Sequence, residues 1–401
     1  MLFFAVVYAV EGVGQARVGI VWQPLNYFLK ETAGWSPVEI SLGVAIFDLP
    51  WVIKPVFGLV SDFVPLFGYR RRAYLLLANL GASAAYMWAA ATTAPHALLA
   101  ARLTTAFAMA VASTLCGALL VENGRRHGGA ARFVNQQWLW FNLASMVAAI
   151  AGGQLVQRLS PAAALRAAAL VAAAAPLAAA ATLLLVEEER ARLDLAALRR
   201  SAAGLLAALR ARRLYLVAAF LFLYYFSPGF GTPLYFHLTD TLHFSQAYIG
   251  TLSAIAAAGW VGAALLHRVA LEGLSTRTLL NLGLAGGGVS TLAYLLLRGE
   301  ASAAAVYFLG GAAAMLTNLA TLTLAAETCP ERAEGFVFAA LMSVSNLALP
   351  LSDTLGSFLY EHAFAGRLPP LIVVSAATTA LVFLLVPFLR LRSLPLVKSL
   401  P

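Results

Sequence analysis

The sequence predicts an all-α membrane protein whose twelve transmembrane helices form two six-helix bundles. Three observations predict it. Hydrophobic residues make up 61% of the 401 positions and charged ones 11%, with a mean hydropathy of +0.81; a soluble core cannot absorb that much apolar surface, whereas many spans of roughly 20 residues can. Apolar runs recur along the whole chain, at 2–29, 38–60, 73–93, 97–121, 133–156, 163–186, 214–238, 246–267, 277–297, 302–326, 335–360 and 369–390. With both termini cytoplasmic, 19 basic residues fall in inner connections or at the inner terminus, against five outside, Lys30, Arg158, Arg166, Arg298 and Arg367. Membrane insertion retains basic loops on the inner side, so this asymmetry sets the topology.

The first span opens directly from Met1 into LFFAVVYAV, and no small-residue cleavage site follows, so no cleavable signal peptide is expected. Within it Glu11, Gln15, Trp22 and Asn26 fall within about 60° of one another at a helical 100° per residue and make a polar stripe, with Arg17 about 120° from Glu11. A charge inside a span is costly unless it is paired or faces a wet cavity, which makes each one a functional candidate. Glu11 and Arg17 are not expected to pair along the helix. One faces the cavity and the other meets a neighbouring helix, with Asp48 in the second span and Asp353 in the eleventh as the deep anions. Arg17 fits both recognition of an anionic solute and an interhelical salt bridge.

The second span runs into the turn PWVIKPVFGLVSDFVPLFGYRRRAY, residues 50–74. Lys54, toward the inner end of its span, either snorkels to the interface or meets a specific partner. Asp62 with Arg70 and Arg71, together with Glu122 and Glu327 near the cytoplasmic ends of the fourth and tenth spans, is read as a gate whose latches hold one access state. The fifth span carries Asn135, Trp138 and Asn142 at i, i+3 and i+7, beside Gln136 and Trp140; the eleventh carries Ser343, Asn346, Pro350 and Asp353. Neither face suits lipid. Amide side chains can pair with the amide and amidine edge of a heterocycle while Trp stacks on its plane; holding helices together is the plainer role of such amides. The candidate solute-binding residues are thus Arg17, Trp22, Asn26, Asn135, Trp138, Asn142 and Asn346. Glu11, Asp48 and Asp353 are the candidates for carrying a proton.

Between the sixth and seventh spans, Leu195, Leu198, Leu205, Leu206 and Leu209 recur opposite arginines, so 187–213 is expected to be an amphipathic linker helix on the inner membrane surface. It separates an N-terminal bundle, 1–186, from a C-terminal one, 214–401. The halves repeat. PLNYFLKETAGWSPVEI from Pro24 aligns without a gap on PLYFHLTDTLHFSQAYI from Pro233 at an offset of 209, and a weaker match sets Phe133, Val134 and Gly153 on Phe336, Val337 and Gly356 at 203. Parallel repeats of this kind bind substrate near the midplane between bundles and expose it to each side in turn.

Gly58, Asp62, Gly68, Arg70 and Arg71 resemble the signature between the second and third helices of the major facilitator superfamily. The longer pattern through Trp51, Ile53, Lys54, Pro55, Ser61, Pro65, Leu66, Tyr69 and Tyr74 is similar to the folate-biopterin transporter family within it, and FAALMSVSNL from Phe338 resembles that family's penultimate helix. The resemblance implies a secondary transporter of a small organic solute, folate or pterin-like, with an unrelated solute on the same scaffold as the alternative.

Other classes fit poorly. The net charge of +9 resides mainly in short loops, where topology explains it without a nucleic-acid partner. Cys116 and Cys329 make neither a disulfide framework nor a zinc site, and His237 with Asp240 lacks a third ligand. The six histidines are scattered, so neither they nor any nucleophile builds a membrane enzyme. No nucleotide-binding loop occurs. No cofactor is expected. The expected partners are the solute, a proton and membrane lipid, and the expected setting is a bacterial-type inner or plasma membrane, where the chain works as a monomer.

Overall fold

A computed structural model describes residues 2–126, 130–186, 188, 190–192, 212–271, 273–329 and 334–389, without the side chains of 121–126, 130–136, 185 and 334–336. The linker helix expected over 187–213 lies almost wholly outside the described residues. These fold into helices, α1 Leu2–Gly14, α2 Trp22–Glu31, α3 Pro37–Ala45, α4 Leu49–Val52, α5 Lys54–Phe63, α6 Arg72–Ala91, α7 Pro95–Arg126, α8 Ala130–Arg158 and α9 Pro161–Thr182, then α10 Arg212–Tyr225, α11 Gly231–Phe236, α12 Gln246–Leu266, α13 Thr276–Ala293, α14 Glu300–Thr328, α15 Glu334–Phe358 and α16 Leu368–Val382. Among the described residues there is no strand, and nine helical stretches are long and apolar enough to cross a membrane. Large apolar side chains such as Val147, Val289 and Leu384 stand exposed on their flanks. Such surface is tolerable against lipid and costly against water.

Packing divides the chain into two units, one of Met1–Ser36, Gly43–Ala202 and Ser245–Ala254, the other of Pro37–Leu42, Ala203–Phe244 and Ile255–Pro401. The core of the first unit joins Phe4, Val7 and Tyr8 of α1 to Leu75 and Ala82 of α6, Leu115 and Leu119 of α7 and Ala179 of α9. That of the second joins Val217 and Phe220 of α10 to Leu280 and Leu284 of α13, Leu324 of α14 and Leu341 of α15.

The first predicted span is two half-helices. Between them Gly19 N–H bonds Gln15 O, and Ile20 N–H bonds Val13 O, both at 2.9 Å. A Cβ on Gly19 would run into the carbonyl oxygens of Val13 and Gln15, so this tight return needs glycine. The interruption overturns the polar stripe expected across Glu11, Gln15, Trp22 and Asn26, because a wheel presumes one unbroken helix. The second span is interrupted as well, by a 3₁₀ turn at Ile46–Asp48 and again at Ile53.

The seventh span breaks likewise between Tyr225 and Gly231, where Pro228 supplies no backbone donor. The offset of 209 sets Trp22 on Gly231, so the second half-helix starts at the same repeat position in both units. It also sets Ile20 on Gly229. The carbonyl of Ile20 packs against Gly152 and that of Gly229 against Gly356, at positions where a Cβ has no room. The structural counterpart of Gly356 is therefore Gly152, not Gly153. Two adjacent glycines made the register ambiguous by one residue, and only the packed carbonyl decides between them.

Candidate functional site

An interrupted helix inside a membrane frees backbone groups that water cannot satisfy, so neighbouring helices must supply partners. In the first unit they do. Tyr86 of α6 donates its hydroxyl to Gly14 O, the carbonyl at which α1 ends. Arg102 of α7, 1% exposed, donates from Nη2 to Ala16 O at 3.3 Å and from Nη1 to Thr105 Oγ1 at 3.2 Å. Its guanidinium lies 5.3 Å from the Tyr86 ring centre and 5.8 Å from that of Phe47. A cation there also meets the negative end of the α1 dipole.

Arg17, within the break, reaches the interruption of the second span: Nε and Nη2 both contact Asp48 Oδ2, at 2.7 and 2.6 Å. Of the two readings open for Arg17, this is the interhelical salt bridge. Trp22 lies under the same guanidinium, 5.9 Å from ring centre to Cζ.

One turn before the break, Glu11 is 8% exposed. Its carboxylate hydrogen-bonds with Ser113 of α7 and interacts electrostatically with Lys54, the first residue of α5. Lys54 Nζ donates to the same Ser113 hydroxyl at 3.1 Å and sits 4.1 Å from the Trp51 ring centre. Ser113 thus stands between acid and base, accepting from one and donating to the other. Among the described residues the second oxygen, Glu11 Oε2, has no hydrogen-bond partner. Tyr8 and Cys116 also feel the Glu11 charge. Lys54 does not snorkel outward, because a buried carboxylate and a ring face hold it inside.

The remaining predicted residues are placed as follows. Asn26, buried, donates Nδ2 to Trp22 O at 2.8 Å, and Asn142 donates Nδ2 to Trp138 O at 2.7 Å, so each commits a donor to its own helix one turn back. Trp138 is partly exposed and meets Phe141 edge-on at 6.1 Å. The side chains of Asn135 and Glu122 lie outside the described residues. In the second unit Asn346 is partly buried on α15, and Asp353 of the same helix accepts from Thr232 Oγ1 at 2.9 Å and Thr232 N–H at 3.3 Å, anchoring the start of α11. Ser352 Oγ donates to Ser227 O, and Ser352 O accepts Gly229 N–H at 3.0 Å, so α15 satisfies the seventh-span break.

At the signature turn, Arg71 Nη2 contacts Asp62 Oδ1 and its Nη1 contacts Ser61 Oγ, each at 2.5 Å. Arg70 contributes its backbone. Glu188 accepts the N–H groups of Arg70, Arg71 and Arg72, each at 2.8 Å, and so places a carboxylate at the N-terminus of α6. Glu327 accepts from Thr276 Oγ1 at the start of α13.

Sequence reasoning missed Arg102, Tyr86, Ser113, Glu188 and Thr232. Arg102 alone carried a signal, a lone arginine in the apolar run LLAARLTTAF, which the rule for intramembrane charges would have flagged.

Spans interrupted at matching repeat positions, with an acid and bases buried beside one interruption, define a membrane transporter rather than an enzyme. The chain belongs to the BT1 family, whose model matches residues 13–398. It is similar to the folate-biopterin transporter of Synechocystis sp., 29% identical over 378 residues that cover 88% of this chain and 73% of the relative. Folate transporter 1 of Plasmodium falciparum is 42% identical over a shorter stretch of 53 residues, 13% of this chain and 10% of that one. Among solved structures, the nucleoside transporter NupG superposes with a TM-score of 0.75 at 10% identity, covering 97% of this chain and 99% of that one. The xylose transporter XylE of E. coli superposes at 0.73 and 13%, covering 98% and 96%. These likenesses fix a major facilitator fold.

Proposed function

We propose that this transporter carries a folate or pterin-like solute by alternating access and couples its movement to protons. The observation that carries the reading is the buried Glu11–Ser113–Lys54 group beside the interrupted first span. The likeness to the Synechocystis folate-biopterin transporter supports the solute class. Trp22, Asn26, Asn135, Trp138, Asn142 and Asn346 line the solute path, with amides reading the heterocycle edge and indoles its plane, while Arg17 stays paired with Asp48. Glu11 is the preferred proton carrier over Asp48 and Asp353, because those two carboxylates already hold Arg17 and Thr232 while Glu11 keeps one oxygen open. Asp62, Arg70 and Arg71, with Glu122 and Glu327, make the cytoplasmic gate. The chain works as a monomer in an inner or plasma membrane with both termini cytoplasmic.

Uptake of radiolabelled folic acid and of a carboxylate-free pterin into proteoliposomes, acidic outside, tests the reading. One proton per solute and a gradient of one pH unit supports up to about tenfold accumulation. Failure of both solutes, with a nucleoside or pentose accumulating instead, would overturn the solute class and leave the transporter.

A further inference from the structure

We infer that Lys54 is the group that binds a carboxylate of the solute, and that it does so by leaving Glu11, so that one proton enters Glu11 for each carboxylate bound. The inference rests on the proposed transport of a folate-like solute and deepens it. Glu11 is buried on α1 while Lys54 and Trp51, at the interruption of the second span, are residues only partly buried as a whole, with the ammonium itself enclosed against Ser113 and the Trp51 ring, so a solute meets it only once it leaves that position. The ammonium is held loosely for a buried charge: one hydrogen bond to Ser113, one ring face, and a carboxylate reached across the serine. Lys54 also begins α5, where the helix dipole opposes a positive charge. A solute carboxylate in direct contact is a stronger partner than that arrangement.

Charge balance then dictates the rest. With Lys54 bound to the solute, Glu11 is a carboxylate without a counter-ion among the described residues, set among Tyr8, Cys116 and apolar side chains of α1, α7 and α8, and an uncompensated buried charge is strongly destabilised. A proton forming an O–H bond at Oε2, the oxygen with no partner, restores neutrality. When the solute leaves on the other side, Lys54 returns to Ser113 and Glu11 and the proton is released there. Arg17 and Arg102 do not compete for the role, since Asp48 holds the first and the carbonyl of Ala16 and two ring faces hold the second.

The test compares folic acid with a carboxylate-free pterin on full-length protein in proteoliposomes. Lys54→Gln should weaken half-saturation for folic acid by at least about tenfold and change that for the pterin less than about threefold. Glu11→Gln should abolish accumulation driven by the pH gradient while folic acid exchange across equilibrated membranes persists at a reduced rate. The neutral double variant, Glu11→Gln with Lys54→Met, should unfold within a few degrees of the parent, which separates loss of folding from loss of function. Equal weakening of both solutes by Lys54→Gln, or undiminished accumulation in Glu11→Gln, overturns the inference. A parent that carries neither solute overturns the proposed function instead.

Discussion

Replacing Asp48 by asparagine should destabilise the first unit through a charge left behind rather than a contact removed. Two nitrogens of Arg17 share Asp48 Oδ2 at 2.6 and 2.7 Å, and a hydrogen bond between charged groups contributes roughly 1.5–3 kcal/mol. Breaking one side of a fully buried pair costs about 3–5 kcal/mol. The side chains here are 26% and 18% exposed, so partial hydration of the stranded guanidinium brings the expected loss to about 2–3 kcal/mol. That is roughly a 30- to 150-fold shift in the unfolding equilibrium. Arg17→Gln in the Asp48→Asn background should recover most of it, because no charge then remains. Unfolding of the four proteins in detergent completes the double-mutant cycle, with a coupling energy of about 1.5–3 kcal/mol expected. Additive losses, with coupling below about 0.5 kcal/mol, would refute the claim that this pair holds the two interruptions together.

The proposed gate requires Asp62→Asn to shift the balance of access states by about 1–3 kcal/mol, read as changed distance distributions between spin labels beside the Asp62–Arg71 turn, with much less change in solute affinity. Gly356→Ala should cost about 1–3 kcal/mol in unfolding measurements, since its Cβ would fall on the immovable carbonyl of Gly229, whereas Gly81→Ala, facing open space in α6, should gain up to about 1 kcal/mol. Glu188→Ala strips the acceptor from three consecutive N–H groups and should cost about 1–2 kcal/mol locally. Faster hydrogen exchange confined to Arg70–Arg72 and the first turn of α6 checks it, and unchanged protection there would show that the carboxylate is not their acceptor.

Helicity, membrane embedding and the signature turn were legible because each is written locally: apolar runs of fixed length, basic loops, and an Asp followed by arginines. The interruptions were not. PLNYFLK and VEGVGQARVGIVWQ read as one apolar stretch, and nothing in a single sequence distinguishes a glycine that packs helices from one that lets the chain turn back. Once the break is missed, angles computed across it place Glu11 on one face with Trp22 and Asn26, although Glu11 belongs to α1 and the other two to α2. Lys54 was legible as a charge but not as a partner of Glu11, because 43 residues and several helix breaks separate them and only packing against Ser113 brings them together. Glu188 was hidden for a similar reason, since its partners are backbone groups, which leave no mark in composition.

The matched interruptions bear on ancestry. At the offset of 209, Glu11 corresponds to Phe220 and Arg17 to Phe226, while Trp22 and Gly231 both begin a half-helix. The halves of this chain have therefore kept a common interruption and parted in what they mount beside it, an arginine and a glutamate in one and aromatic rings with a threonine-held aspartate in the other. A duplicated helical unit can diverge this way and keep its backbone plan, because the break is held by packed carbonyls and glycines while the side chains around it are free to change.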